Sequence, residues 1–215
     1  MAFRPSIPPG GNARPPAINL PPLTLGLLLA MAAAYLGLLF APPELERLVI
    51  AHFAFIPAAY SVSGWPIWSL VVAPFSYALL HGGLGHLLLN GVMLAVMGQV
   101  LERRLGAGRF LLVFAAGAAG GALAHVMIGG SPRIPLVGAS AGVGGLYGAG
   151  LVLQRRGVWL GPNARVLVAL AGLFVIINLI GVVLPLLGNI AYAAHLGGFI
   201  AGGLVAARLS PPRRA

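Results

Sequence analysis

Long apolar runs dominate the hydropathy pattern of this chain, and short segments that hold most of the charged residues separate them. A helix needs about 20 apolar residues to cross the hydrocarbon core of a bilayer. Four runs reach spanning length, and two more reach it with glycines or polar residues inside them. The pattern therefore predicts an all-α, polytopic membrane protein with six transmembrane helices, at about 20–40, 84–100, 110–128, 137–154, 166–187 and 190–209.

One further apolar stretch, 67–80, lies in the first loop and could be counted as a seventh span. It is short and Pro74 interrupts it. Counting it would also reverse the orientation of every later loop. We interpret it as an interfacial or re-entrant segment of the first loop.

The domain organisation follows from where these runs begin and end. The segment 1–22 is rich in proline and glycine, which predicts a disordered tail. The segment 23–209 forms one transmembrane domain, and 210–215 is a short second tail.

Composition and charge agree with a membrane protein. The chain is 59% hydrophobic and 7% charged, whereas soluble domains carry about 25% charged residues. Its net charge of +10 comes from 13 arginines, which lie in short loops and tails rather than in a basic patch for nucleic acid. In the six-span arrangement, 11 of the 13 fall on one side. Positively charged loops stay in the cytoplasm, so both termini are predicted to be cytoplasmic.

Several residue types are missing, and their absence excludes several chemistries. The sequence has no Cys, no Asp and no Lys, and it has only three Glu. Thiol chemistry and a paired-aspartate intramembrane protease are therefore excluded, and the sequence also contains no HExxH zinc motif. We expect neither a metal nor a cofactor.

Polar residues gather at one depth of the predicted bundle. Spans two, four and six all run from the outer to the inner face. Each carries polar residues near its beginning: His86 and Asn90 in "HGGLGHLLLN", Ser140 in "GASAG", and His195 in "NIAYAAHLGGFIAGG". At 1.5 Å per residue, they lie a few residues below the outer surface.

Each of these residues also has a structural interpretation. Ser140, Gly144 and Gly148 repeat at a four-residue spacing that is typical of closely packed helices. His195 could be a core histidine bonded to a backbone carbonyl. The packing and catalytic interpretations are compatible, because close packing of spans four and six is what would bring Ser140 to His195.

Together the residues suit nucleophilic catalysis. A serine hydroxyl needs a base, and neutral histidine is the usual one. The sequence has no Asp, and apart from Glu44 and Glu46 of the first loop no Glu lies near the outer ends of these spans, so a Ser140–His195 dyad is expected. The oxyanion of acyl transfer needs donors, which His86, Asn90 and the Ser140 backbone N–H could supply.

These motifs, in this order, resemble those of the rhomboid intramembrane serine proteases of the bacterial six-span type. The resemblance covers about 65–203 and includes "LERRLGAGRF" at the end of span two. It implies that Ser140, with Gly138 before it, is the nucleophile, that His195 is the general base, and that His86 and Asn90 stabilise the oxyanion. It also implies structural roles for three residues: Glu102 tying the second loop, and Gly198 and Gly202 packing span six on span four.

The resemblance further implies a protein of the bacterial inner (plasma) membrane. Its site would lie near the outer face, and its partners would be transmembrane protein substrates and the lipid bilayer. The sequence leaves the oligomeric state open. Three positions depart from the family's pattern: Ala141 replaces a glycine, Gly144 replaces an aromatic residue that stacks on the histidine, and Ser69 replaces an arginine after Trp68.

Two other functions stay open. A catalytically inactive rhomboid-like protein would bind membrane helices without cutting them, although the intact Ser140 and His195 weigh against it. A small transporter is the second alternative, and the shortage of charge inside the spans weighs against that one.

Overall fold

The computed structural model describes residues 19–128, 130–158, 164–183 and 191–209. Most of the predicted N-terminal tail, the predicted tail 210–215 and the fifth loop near 186–189 lie outside the described residues. Within the described ranges the fold is all-helical, and one isolated β-bridge is its only extended pairing. The helices are α1 (Pro22–Leu39), α2 (Pro43–Phe53), α3 (Ile67–Ser76), α4 (Leu84–Leu105), α5 (Ala107–Met127), α6 (Ser140–Arg155), α7 (Ala164–Val183) and α8 (Tyr192–Leu209).

Helices α1, α4, α5, α6, α7 and α8 lie where the sequence predicts its spans. Among the described residues, three helices, α1, α4 and α5, are long and apolar enough by themselves to cross a membrane. Helix α6 has only 16 residues, and the apolar part of α7 is also shorter than a full span. The chain is thus an integral membrane protein with an all-helical bundle, and the count of six spans stays a prediction.

The first loop contains two helices rather than irregular chain. Its apolar stretch forms α3, which includes Pro74 and continues into a short 3₁₀ turn. The hydroxyl of Tyr77, in that turn, donates a hydrogen bond of 2.8 Å to the carbonyl of Ala118, in the middle of α5. The end of this segment therefore reaches deep into the bundle, and the interpretation of 67–80 as interfacial or re-entrant stays a prediction.

Helix α6 occupies the centre of the bundle, and every residue from 141 to 150 is buried. A Cβ atom added at Gly198 of α8 would overlap the backbone of Ala141, and one added at Gly202 would overlap the backbone of Gly145. The backbones of α6 and α8 are therefore in direct contact. Glycine allows this approach because it has no side chain to hold the helices apart.

Glu102 lies in the last turn of α4 and is buried. Its carboxylate accepts hydrogen bonds from the backbone N–H groups of Leu23 and Thr24 at 3.0 and 2.7 Å, and from the Thr24 hydroxyl at 2.7 Å. It thus caps the first turn of α1, whose N–H groups have no partner within the helix. Glu102 therefore fastens α1 to α4, and the expectation that it ties the second loop stays a prediction.

The close packing of α6 and α8 predicts a specific sensitivity to one methyl group. Gly202→Ala should lower the free energy of unfolding by about 1–3 kcal/mol, because the added Cβ meets rigid backbone and the helices must separate. Gly172→Ala in α7 is the matched control, since a Cβ there meets nothing within 4 Å. Reversible unfolding in mixed detergent micelles measures both. Equal stabilities of the two variants would contradict the described contact.

Candidate active site

Ser140 is the first residue of α6, directly after a tightly held loop. The loop forms an antiparallel bridge between Leu136 and Phe55, and the N–H of Gly138 donates to the carbonyl of Tyr77 at 3.0 Å. Gly138 has φ +113°, a backbone conformation that side chains disfavour. The first N–H groups of a helix have no partner within that helix, so α6 itself does not use the N–H of Ser140.

The hydroxyl oxygen of Ser140 lies 2.7 Å from Nε2 of His195. His195 is in the first turn of α8, and the glycines of that helix hold it against α6. The two residues, 55 positions apart in the sequence, share a hydrogen bond inside the bundle. Such a pair has the geometry of a serine nucleophile and its base.

A third side chain completes a hydrogen-bonded chain. Oδ1 of Asn178, on α7, lies 2.6 Å from Nδ1 of His195. The sequence predicts a Ser140–His195 dyad because an acidic residue was expected as the partner of the histidine. In the structure, the partner of His195 Nδ1 is the neutral amide of Asn178. A signal for Asn178 was present, because it is an isolated polar residue in the apolar run 166–183, and polar residues inside spans are functional suspects.

His86 and Asn90 lie on the first turns of α4, facing the loop that precedes Ser140. A Cβ at Gly138 would come within 2.6 Å of the His86 ring and 3.4 Å of Nδ2 of Asn90. Asn90 is 2% exposed, and its Nδ2 is a buried donor without a hydrogen-bond partner. Buried donors are normally satisfied, so this one is available to an acceptor entering the site.

The described parts of the chain contain no group of three His, Cys, Asp or Glu side chains that could hold a metal ion. The polar groups that meet at this site are instead a hydroxyl, imidazoles and amides.

Comparisons with known proteins identify the family of this chain. The family model described as "Rhomboid domain" matches residues 64–212. The chain belongs to the rhomboid family. The family is one of intramembrane proteases, and the match includes the candidate nucleophile, its histidine partner and the residues around them.

Individual relatives are similar over much of the chain. Rhomboid protease GluP of Bacillus subtilis (strain 168) is 35% identical over 152 residues, which are 68% of this chain and 27% of GluP. A second protein of that bacterium, YdcA, is 33% identical over 144 residues, 64% of this chain and 65% of YdcA. RHOMBOID-like protein 5 of Arabidopsis thaliana is 31% identical over 135 residues, 63% of this chain and 41% of that protein. The chain therefore matches less than two thirds of the length of each relative.

The rhomboid domain fills the space left by Gly144 with an aromatic ring from another helix. Phe174 of α7 lies against His195 with 5.8 Å between ring centroids, and it stacks on Tyr147 at 5.3 Å. A Cβ at Gly144 would come within 2.9 Å of the His195 carbonyl oxygen and 3.2 Å of the Phe174 ring. The missing side chain at position 144 thus makes room for the backbone of α8 as well as for Phe174, which packs on the histidine.

The other two departures are also accommodated. The methyl group of Ala141 is buried against Gly121 of α5, where a side chain would collide with it. Ser69 is buried in the first loop, where its hydroxyl donates to the carbonyl of His52 at 2.9 Å and accepts from the Trp65 indole at 3.3 Å. Ser69 therefore links α3 to α2 with short, neutral hydrogen bonds.

The conformation of Gly138 predicts an unequal effect of two glycine substitutions. Gly64 has φ +82° and open space around it, so Gly64→Ala introduces backbone strain without a steric clash. This strain should cost about 1–3 kcal/mol of folding free energy. Gly138→Ala should cost more, because its Cβ also overlaps the His86 ring.

Unfolding in mixed micelles measures both variants. A double-mutant cycle of Gly138→Ala with His86→Ala should recover the excess cost. If Gly138→Ala loses no more than Gly64→Ala, the His86 ring is not held in a fixed position against this loop.

Proposed function

We propose that this rhomboid domain is an intramembrane serine endopeptidase that cleaves transmembrane segments of other membrane proteins. The observation that carries the proposal is the 2.7 Å hydrogen bond between the Ser140 hydroxyl and Nε2 of His195. Intact serine and histidine side chains in this contact are what nucleophilic catalysis requires. A protein that only bound membrane helices would have no use for it.

Hydrolysis proceeds in two halves. The Ser140 oxygen attacks the carbonyl carbon of the scissile peptide while Nε2 of His195 accepts its proton. The resulting tetrahedral intermediate collapses to an acyl-enzyme, and His195 returns the proton to the departing amine. A water molecule then attacks the acyl group with His195 again acting as base, and free Ser140 is restored.

The negative charge of the tetrahedral intermediate needs donors that already point toward it. The backbone N–H of Ser140, at the start of α6, is one such donor. Nδ2 of Asn90 is a second, because it is buried without a partner. His86, next to Gly138, completes the group.

The substrate must present an extended peptide to the serine. A helix hides its carbonyls in internal hydrogen bonds, so a transmembrane substrate has to unwind locally, which is easiest at small or helix-breaking residues. In the predicted orientation, with both termini cytoplasmic, cleavage occurs near the outer face of a bacterial inner membrane. The first loop admits the substrate from the side, and water enters from outside.

Removal of either reacting group tests the proposal. Ser140→Ala and His195→Ala should each lower kcat by at least about 10³-fold, because the nucleophile or its base is lost. The measurement is cleavage of a model single-span protein by the purified chain in detergent. Ser63→Ala is the matched control, since Ser63 is an exposed first-loop serine, and it should cleave at the parental rate.

A serine-reactive fluorophosphonate probe separates a protease from an inactive rhomboid-like binder. The parental chain should be labelled covalently, and Ser140→Ala should not be. Parental rates of cleavage in both active-site variants, or equal labelling of the parent and Ser140→Ala, would refute the proposal.

The unpartnered amide of Asn90 predicts a selective effect on rate. Asn90→Ala should lower kcat roughly 10²- to 10³-fold, the usual cost of losing one oxyanion donor, with little change in KM. Gln99→Ala removes an exposed amide from the same helix and should leave both constants unchanged. An Asn90→Ala enzyme whose loss lies entirely in KM would show that Asn90 binds the substrate and not the intermediate.

A further inference from the structure

Asn178 is buried in α7, with 3% of its surface exposed, and both ends of its side-chain amide are engaged. Its Nδ2 donates a hydrogen bond of 2.7 Å to the carbonyl of Phe174, one turn earlier in the same helix. Its Oδ1 lies 2.6 Å from Nδ1 of His195.

The first of these bonds fixes the orientation of the amide. If the amide were rotated by half a turn, its oxygen would face the carbonyl oxygen of Phe174, and two acceptors would be in contact. The nitrogen therefore stays on the Phe174 side, and the oxygen stays on the His195 side. An amide oxygen can only accept a hydrogen bond.

The orientation of the amide in turn determines where the histidine carries its proton. Because Oδ1 of Asn178 is an acceptor, Nδ1 of a neutral His195 must be protonated to bond with it. Its Nε2 then carries a lone pair directed at the Ser140 hydroxyl, 2.7 Å away. This is the tautomer in which His195 can act as a base toward the serine.

We infer that Asn178 is a positioning residue that holds His195 in the tautomer able to accept the Ser140 proton, through an amide oriented by the Phe174 carbonyl. The inference rests on the proposed protease function and adds a third member to its Ser140–His195 pair. Asn178 acts through His195 and does not touch the reacting atoms.

A neutral amide suits this position. A carboxylate buried beside His195 would have to lose its hydration, which is costly without a charged partner. The amide supplies an acceptor in the same place without that cost. Phe174 contacts the His195 ring from the same helix, four residues before Asn178, so one face of α7 both packs on the imidazole and orients it.

Two substitutions separate the acceptor from the shape of the side chain. Asn178→Leu keeps a similar volume but removes the acceptor. Asn178→Asp keeps an acceptor for Nδ1 whether its carboxyl is ionised or protonated, and in the protonated form its O–H can also donate to the Phe174 carbonyl. Ile177→Ala, at an exposed position beside Asn178, is the control for changes in α7 itself.

The leucine variant should lose roughly ten- to hundredfold in kcat with KM nearly unchanged. This loss is smaller than the about 10⁴-fold loss in a Ser-His-Asp triad whose Asp is replaced by Asn, because there the new side chain enforces the wrong histidine tautomer. The aspartate variant should recover most of that rate. Ile177→Ala should cleave like the parent.

The tautomer itself is measured by ¹⁵N NMR of the full chain with labelled histidine, in detergent micelles. The chain has five histidines, and the resonances missing from His195→Gln belong to His195. The parent and Asn178→Asp should show a protonated Nδ1 and an unprotonated Nε2. In Asn178→Leu, the proton should redistribute toward Nε2.

A His195 that carries its proton on Nε2 in the parent, or a tautomer that Asn178→Leu leaves unchanged, would overturn the inference. Failure of the proposed function is a separate result, because it is read from cleavage by Ser140→Ala. A chain that proves not to be a protease would still reveal the tautomer of His195. If the chain is a protease and Asn178→Leu changes neither kcat nor the tautomer of His195, this inference alone is refuted.

Discussion

The contact between the backbones of α6 and α8 is the constraint on which the site depends. Gly198 and Gly202 lie where any side chain would collide with the backbone of α6. At this separation a serine at the start of α6 and a histidine in the first turn of α8 share a 2.7 Å hydrogen bond. In a membrane, where burial of apolar surface gives no driving force for helix association, such contact between small residues is also a main source of packing energy.

Helix α7 supports this pair from the outside of the bundle. Much of its surface is exposed, yet the Phe174 ring and the Asn178 amide both face His195. The packing of α7 against α8 therefore also brings its side chains into contact with the His195 ring. The arrangement uses no acidic residue, which fits a sequence without Asp and with only three Glu.

The departures from the rhomboid pattern have physical explanations that involve other helices. The ring that Gly144 lacks is supplied by Phe174, and the methyl group of Ala141 fits against Gly121. Each substitution is thus balanced by a residue distant in sequence. The sequence motif shows that positions 141 and 144 differ from the family pattern. The tertiary structure shows which residue of another helix packs at each of them.

The sequence by itself determined the membrane class and the approximate helix positions, and it named candidate residues for the site, because apolar run length and isolated polar residues within spans are local properties. It suggested that Ser140 and His195 meet, since glycine spacing indicated that their helices touch. The tertiary structure decided which neighbours those residues have: Asn178 and Phe174 beside His195, and α1 bound to Glu102. Hydrogen-bond partners and ring contacts depend on the rotation and depth of whole helices, which are set by packing and leave no pattern along a single segment.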